Sequence, residues 1–249
     1  MELSDRQLLT NWRTRRDAHA FQAIVKRHAA MVFHTALRIL NNPADAEDTT
    51  QQCFEKLVTT RETSHIESLG AWLHGMSTKL SLMHIRTSSR RSQREEHYAE
   101  ISNTVDGTPE WQEIYPIIDE AIQSLDEQYR IPIIAHFLEG QSHAEIAKEI
   151  DTSRSTITTR INQGILQIEA TLKKKNILSA VALAPLLTGQ LTHAAAVETS
   201  LLTSLGKFAL AQGHGVPTIA QGAITKTTTG ALAKWGTAAV LVTTAVIGV

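Results

Sequence analysis

A chain of 249 residues with a formal net charge of −1 and 20% charged residues has room for one or two domains plus extra segments. Near-neutral charge excludes a protein held on nucleic acid by bulk charge, so any such contact has to come from local patches. One cysteine, Cys53, excludes an intramolecular disulfide and a Cys-rich zinc site, and eleven scattered histidines without HExxH spacing give no reason to expect a metal or a cofactor. The opening MELSDRQLLTNWRTRRD is too polar for a secretory signal, which suits a reducing cytoplasm. Aromatic residues are 5% of the chain and long strand-like alternations are lacking, so the expected fold is all-α.

In chain order, Asp17–Leu40 predicts an amphipathic helix whose face carries Phe21, Ile24, Val25, His28, Val32, Ala36, Ile39 and Leu40, stopped by Asn41-Asn42-Pro43. A second helix is expected from Pro43. Its start is acidic, with Asp45, Glu47 and Asp48, which suits the dipole of a helix N-terminus. Asp45, Asp48, Gln51 and Glu55 fall along one side and equally suit a partner-binding face. A third helix from about Ser68 has an apolar line of Trp72, Met76, Leu80 and Met83 and ends in Arg86, Arg90, Arg91 and Arg94, the shape of a phosphate-contacting edge.

Residues 95–112 turn acidic, contain Gly107 and Pro109 and read as a linker. Helices are expected at Ile114–Leu125 and Ile131–Leu138, with Pro132 near the start of the second. Gln141–Lys175 then reads as helix, turn, helix. Ala144, Ile146, Ala147 and Ile150 face inward from the first helix; Ser153 caps the second, where Ile157, Ile161, Ile165, Ile168 and Leu172 make the buried stripe. Arg154, Ser155, Thr158, Thr159, Asn162 and Gln163 fall on the other side, with side chains able to bond base edges and phosphates. Asp151 stands where many such turns carry Gly, and Asp tolerates the left-handed conformation better than most residues. After Lys175 the chain is rich in Ala, Leu, Thr and Gly. The uncharged Trp235–Val249 becomes a candidate membrane helix if residues 231–234 join it, with Lys234 at the interface.

The order of these pieces, DAEDTTQQCF, then WLHGMSTKL running into arginines, a linker, and LDEQYRIPIIAHFLEGQSHAEIAKEIDTSRSTITTRI, resembles the extracytoplasmic-function sigma factors of bacterial RNA polymerase. WLHG, together with the hydrophobic tail, looks like a subgroup with a C-terminal extension. The resemblance implies two small helical domains: a region 2-like bundle over 15–94 and a region 4-like helix-turn-helix over 113–175, joined by the linker and followed by the tail 176–249. It implies core RNA polymerase (β′ clamp helices and β flap) and promoter DNA as partners, with an anti-sigma factor as a further candidate. Asp45, Asp48, Gln51 and Phe54 match the clamp-docking segment. Trp72, Lys79, His84, Arg86, Arg90 and Arg91 lie in the segment that captures the opened −10 element. Ser153, Arg154, Ser155, Thr156, Thr158, Thr159, Arg160, Asn162 and Gln163 lie in the helix that reads the −35 duplex.

Departures from the family pattern matter. Many members carry Asn where Lys79 stands and an acid near Met83. The basic end of the family's recognition helix is here Asn162-Gln163-Gly164-Ile165, so binding of weak salt dependence is expected from this domain. No catalytic pair or phosphate loop is visible, and no enzyme activity is expected. Two other readings stay open: a dimeric helix-turn-helix regulator that binds operators, and a membrane-tethered signalling or scaffold protein anchored through 231–249.

Overall fold

The computed structural model describes residues 3–60, 66–96, 111–175, 203–205 and 207, with the backbone alone over 89–96 and 111–113. Among the described residues every regular element is a helix, and no helix is long and apolar enough to cross a membrane. The linker residues 97–110 and the candidate membrane segment 231–249 lie outside the described residues.

The first helix, α1 (Asp5–Arg15), has no counterpart among the sequence expectations. Ser4 and Gln7 make it: the Ser4 hydroxyl accepts from the Gln7 backbone N–H while the Gln7 side chain accepts from the Ser4 N–H, a reciprocal cap for two otherwise free donors. Leu8, Leu9 and Trp12 then fall on one buried face. Helix α2 (Ala18–Leu40) starts where the Asp17 carboxylate accepts from the N–H groups of His19 and Ala20, and stops at Asn41 with φ 51°. Helix α3 (Pro43–Thr59) is capped by Asn42, with Pro43 at a position whose missing N–H costs nothing. The core of this N-terminal unit is aromatic at its centre. Trp12 and Phe21 rings lie 4.8 Å apart, and Phe21 meets Phe54 edge-on at 6.3 Å. Fully burying a side chain such as Phe54 stabilises by roughly 1.5–3 kcal/mol. Cys53 sits beside it, buried; burial pushes its thiol up to about 12, against a smaller opposing effect of the Ser77 hydroxyl.

Helix α4 (Leu69–Glu96) runs two residues beyond Arg94, so Glu95 and Glu96 belong to it and not to the linker. Its buried side also differs from expectation. Leu69, Leu73, His74, Ser77, Thr78, Leu80 and Ser81 face the core, whereas Met83 is 54% exposed and Trp72 and Met76 are half-buried. Choosing apolar residues alone missed this because α4 packs on α2 through small hydroxyl side chains. Ser77 donates to the Val32 carbonyl at 3.0 Å, which satisfies a polar atom inside the interface.

The C-terminal unit begins with α5 (Trp111–Gln123) and α6 (Glu127–Ile133). Helix α6 starts four residues before the expected boundary, placing Pro132 in its last turn instead of its first. A π-helical turn over Ile134–Leu138 follows directly. Helix α7 (His143–Glu149) opens on a second reciprocal cap, between Ser142 and Glu145. Helix α8 (Arg154–Lys174) opens on Ser153, whose hydroxyl accepts from the Thr156 N–H. Between them Asp151 takes φ 51°, the left-handed conformation the turn demands. Ile157, Ile161, Gly164, Ile168 and Leu172 form the buried stripe of α8, with Ile165 half-buried beside it. Gly164 has a packing reason: a Cβ there would run into Ile133 Cδ1 and come within 3.3 Å of Tyr129 Cβ, both on α6. The two units pack together, α5 against α2 and α4, and the π turn against α4.

Candidate nucleic-acid interface

The helix-turn-helix of α7 and α8 sorts its polar side chains into two groups. Ser153, Thr156 and Thr158 are engaged within the fold. The Ser153 hydroxyl lies 2.8 Å from both Ser155 Oγ and Thr156 Oγ1. Thr158 Oγ1 lies 3.0 Å from His143 Nδ1 on α7 and donates to the Arg154 carbonyl at 3.1 Å, pinning one helix to the other. Thr159 donates to the Ser155 carbonyl at 3.1 Å. Arg154, Ser155, Asn162 and Gln163 are exposed along the outer side of the first two and a half turns, and Arg160 is half-buried beside them. Such a row offers two cations and several amide and hydroxyl groups, fewer positive charges than a phosphate-dominated surface carries.

The expected docking face on α3 comes together in part. Asp48 is exposed; Asp45 and Gln51 are half-buried, and the Gln51 amide donates to Glu55 Oε1 at 2.9 Å. Phe54 is a different matter: it is fully buried against Phe21 and presents no surface. The 3.6-residue period of a helix explains it, since Phe54 falls with Cys53 and Leu57 on the inner side. His84 Nε2, on α4, lies 3.7 Å from Asp45 Oδ2, so the acidic face and the basic helix adjoin.

Of the residues expected at the −10 element, Lys79, His84 and Arg86 are exposed on α4. The side chains of Arg90 and Arg91 lie outside the described residues. Trp72 and Lys79 line a cleft of about 260 Å³ whose opposite wall is Gln123, Glu127, Arg130 and Ile131 of the C-terminal unit. Arg86 Nη2 reaches toward Glu120 Oε1 of α5 at 3.8 Å.

Sequence reading missed two buried ionic clusters between the units. In the first, His28 Nε2 lies 2.8 Å from Asp5 Oδ2 and His28 Nδ1 lies 2.8 Å from Glu139 Oε1. Two carboxylate acceptors leave both ring nitrogens as donors, so this imidazole is a cation. Burial alone would lower its pKa, but the bonds to Asp5 and Glu139 outweigh burial and raise it to about 9. Arg27 pairs with the same Asp5. Glu149 stands nearby; burial first, then the Asp5 charge, raises its pKa. In the second cluster, Arg38 of α2 bonds both oxygens of Asp119 on α5, at 2.9 and 3.4 Å. His74 Nε2 bonds Asp119 Oδ1 at 2.9 Å, and Gln123 meets His74 Nδ1. Asp119 is fully buried; desolvation raises its pKa, yet Arg38 and His74 prevail and hold it below the ordinary carboxylate value. The signal available in the sequence was an acid, Asp119, within an apolar stripe of Ile118 and Ile122.

Comparison with known proteins follows the same division. The family model "Sigma-70 region 2" matches residues 24–91, and "Sigma-70, region 4" matches residues 116–168. The chain is 28% identical over 162 residues to the ECF RNA polymerase sigma factor SigE of Mycolicibacterium smegmatis, covering 62% of this chain and 62% of that protein. It is 25% identical over 171 residues to an ECF RNA polymerase sigma factor SigK of a Mycobacterium species, covering 65% and 88%. Against the ECF RNA polymerase sigma factor SigL of Mycobacterium tuberculosis it is 25% identical over 178 residues, covering 65% and 93%. The chain thus spans under two thirds of SigE and most of SigK and SigL. The chain therefore carries the sigma-70 region 2 and region 4 domains in that order, and the relatives it is similar to are ECF sigma factors.

Proposed function

We propose that this protein is a promoter-recognition subunit that binds core RNA polymerase and directs transcription initiation. The observation that carries the reading is the ordered pair of family domains, region 2 at 24–91 and region 4 at 116–168, on one chain. Region 2 engages the opened −10 element through α4, and region 4 reads the −35 duplex through α8. Unpaired bases are held by backbone charge and stacking, which suits Trp72, Lys79, His84 and Arg86, with Arg90 and Arg91 further along the helix. On α8 the reading falls to Arg154, Ser155, Thr159, Asn162 and Gln163. Arg160 supplies a phosphate contact, and Ser153, Thr156 and Thr158 hold the geometry. Two grips on one chain raise the effective concentration of the second once the first is made.

Asp45, Asp48 and Gln51 form the face offered to the β′ clamp helices, with Phe54 holding that face from beneath, and the C-terminal unit meets the β flap. The exposed Asp48 and the adjoining half-buried Asp45 support this reading. Reconstitution with core RNA polymerase on a library of promoter fragments tests it. Specific run-off transcripts that need the chain are expected; tight operator binding that ignores polymerase would select a free-standing regulator in its place.

A further inference from the structure

His136 and His143 stand side by side at the edge of the helix-turn-helix, both half-buried, and promoter recognition makes no use of them. They are distant enough in sequence to share no metal-binding spacing, and the fold brings them together. His136 lies in the π-helical turn Ile134–Leu138, a conformation found often at functional sites. Gly140 then takes φ 72°, so the chain doubles back and the Gln141 N–H donates to the Ala135 carbonyl at 2.9 Å. Helix α7 follows with His143 as its first residue. The two rings end 4.6 Å apart, centre to centre, inclined at 68°. Their hydrogen bonds fix both tautomers. The Gln141 carbonyl, 2.9 Å from His136 Nδ1, can only accept, so His136 carries its proton on Nδ1. Thr158 donates its one hydroxyl proton to the Arg154 carbonyl, so its oxygen accepts from His143 Nδ1, 3.0 Å away. Each neutral ring therefore turns a lone pair outward on Nε2, and neither Nε2 is hydrogen-bonded among the described residues. Histidine ligates metals in this form, one nitrogen held as a donor and the other open.

We propose that His136 and His143 form a two-imidazole site for a transition-metal dication of the zinc, nickel or copper class, and that the ion braces the helix-turn-helix. Imidazole donors suit these ions, whereas magnesium and calcium want oxygen ligands. Two nitrogens at roughly 2.0–2.1 Å from one tetrahedral ion lie about 3.3 Å apart, within reach of rings spaced as these are. The described residues bring no third His, Cys, Asp or Glu to the pair, so water completes the shell. The ion ties the π turn to α7 and, through the His143–Thr158 bond, to α8. These three pieces set the direction in which α8 presents Arg154 and Ser155.

The test titrates zinc chloride into the full chain stripped of metal, and into its His136→Gln, His143→Gln and Thr158→Val variants. Calorimetry reads binding, thermal melting reads the brace, and nitrogen-15 NMR of the imidazoles reads which atoms ligate. The first equivalent of zinc is expected to shift the Nε2 signals of His136 and His143 and to raise the melting temperature. Either His variant should weaken that equivalent more than tenfold. Thr158→Val, which removes only the acceptor behind His143, should weaken it on the order of tenfold. Circular dichroism without metal confirms that each variant folds, and His136→Gln leaves the His143–Thr158 bond intact. A first equivalent that binds both His variants at full strength, or Nε2 signals that stay in place, overturns the site. Binding at both rings with an unchanged melting temperature overturns the brace and marks an adventitious ion only. None of these measurements contains DNA or polymerase, so the outcome is independent of promoter recognition.

Discussion

His28 Nδ1 lies 2.8 Å from Glu139 Oε1, joining residues 111 positions apart in two different sigma regions through a single imidazole. The other nitrogen of that ring is held by Asp5, so the first helix of the chain, the second, and the turn before α7 meet at one buried cation.

This arrangement sets a pH dependence. The folded pKa of His28, about 9, is above its ordinary 6.5. Its stabilisation is therefore complete below about 6.5 and is lost as pH rises through 9, on the order of 3 kcal/mol in all. Asp5 works in the opposite sense. Burial raises its pKa, but His28 and Arg27 together lower it below 3.8, so its contribution is present above that value and fades on acidification. Glu139, Glu149 and Arg27 face the same cluster. The melting temperature of the full chain is expected to fall between pH 6.5 and 9.5, and His28→Gln should flatten that limb. A melting temperature that rises over the same interval would contradict the assignment.

Phe54 and Asp48 separate packing from docking on α3. Phe54→Leu keeps a large apolar side chain and should leave polymerase affinity within about twofold, whereas Phe54→Ala should cost about 3–5 kcal/mol of stability. Asp48→Lys, on the exposed side, should abolish polymerase binding with little change in the urea midpoint. Equal loss from Phe54→Leu and Asp48→Lys would mean that the face is defined by shape and not by charge.

On α8, Arg154→Ala should weaken binding to a duplex −35 site by about 1–3 kcal/mol if its fork engages a base edge. Thr158→Ala acts through His143 and should lower stability of the helix-turn-helix before it lowers specificity. With Arg160 as the phosphate contact of this helix, a shallow salt dependence is expected, with a slope of roughly −1 in log K against log salt. Electrophoretic titration from low to moderate salt measures the slope; a value several times steeper would show phosphate contacts from elsewhere in the chain.

Asp151 occupies the left-handed conformation at φ 51°. Asp151→Val should destabilise the C-terminal unit by about 1–2 kcal/mol, because a branched Cβ is crowded there. Asp151→Gly should be tolerated or mildly stabilising. Urea midpoints of the two variants give the comparison directly.

Local signals read well in the sequence. Periodicity placed α2 and the buried stripe of α8. Capping chemistry placed Ser153, while Asp17 and Asn42, read only as a helix start and part of a helix stop, prove to be the caps of α2 and α3, and Asp151 takes the left-handed conformation in place of the usual Gly. What escaped were features whose cause lies in another element. Helix α1 is short and mostly polar, so its pattern was weak, although Ser4 and Gln7 carried a capping box. The core-facing side of α4 consists largely of His and hydroxyl residues, which a search for apolar spacing assigns to solvent. The packing role of Gly164 was invisible in its own helix because Ile133 and Tyr129, which need the space, belong to α6. The pairing of His28 and His74 with acids of the C-terminal unit depends on docking between the units, and no local pattern encodes that.

Cys53 has a consequence for redox chemistry. It is the chain's single thiol, and burial pushes it to about 12, so almost none of it is thiolate at neutral pH. Reaction with peroxides, disulfides or electrophiles needs that thiolate and access to it. In the folded chain Cys53 is therefore shielded from oxidants and electrophiles, and its sulfur serves as a packing group beside Phe54 and not as a reactive centre.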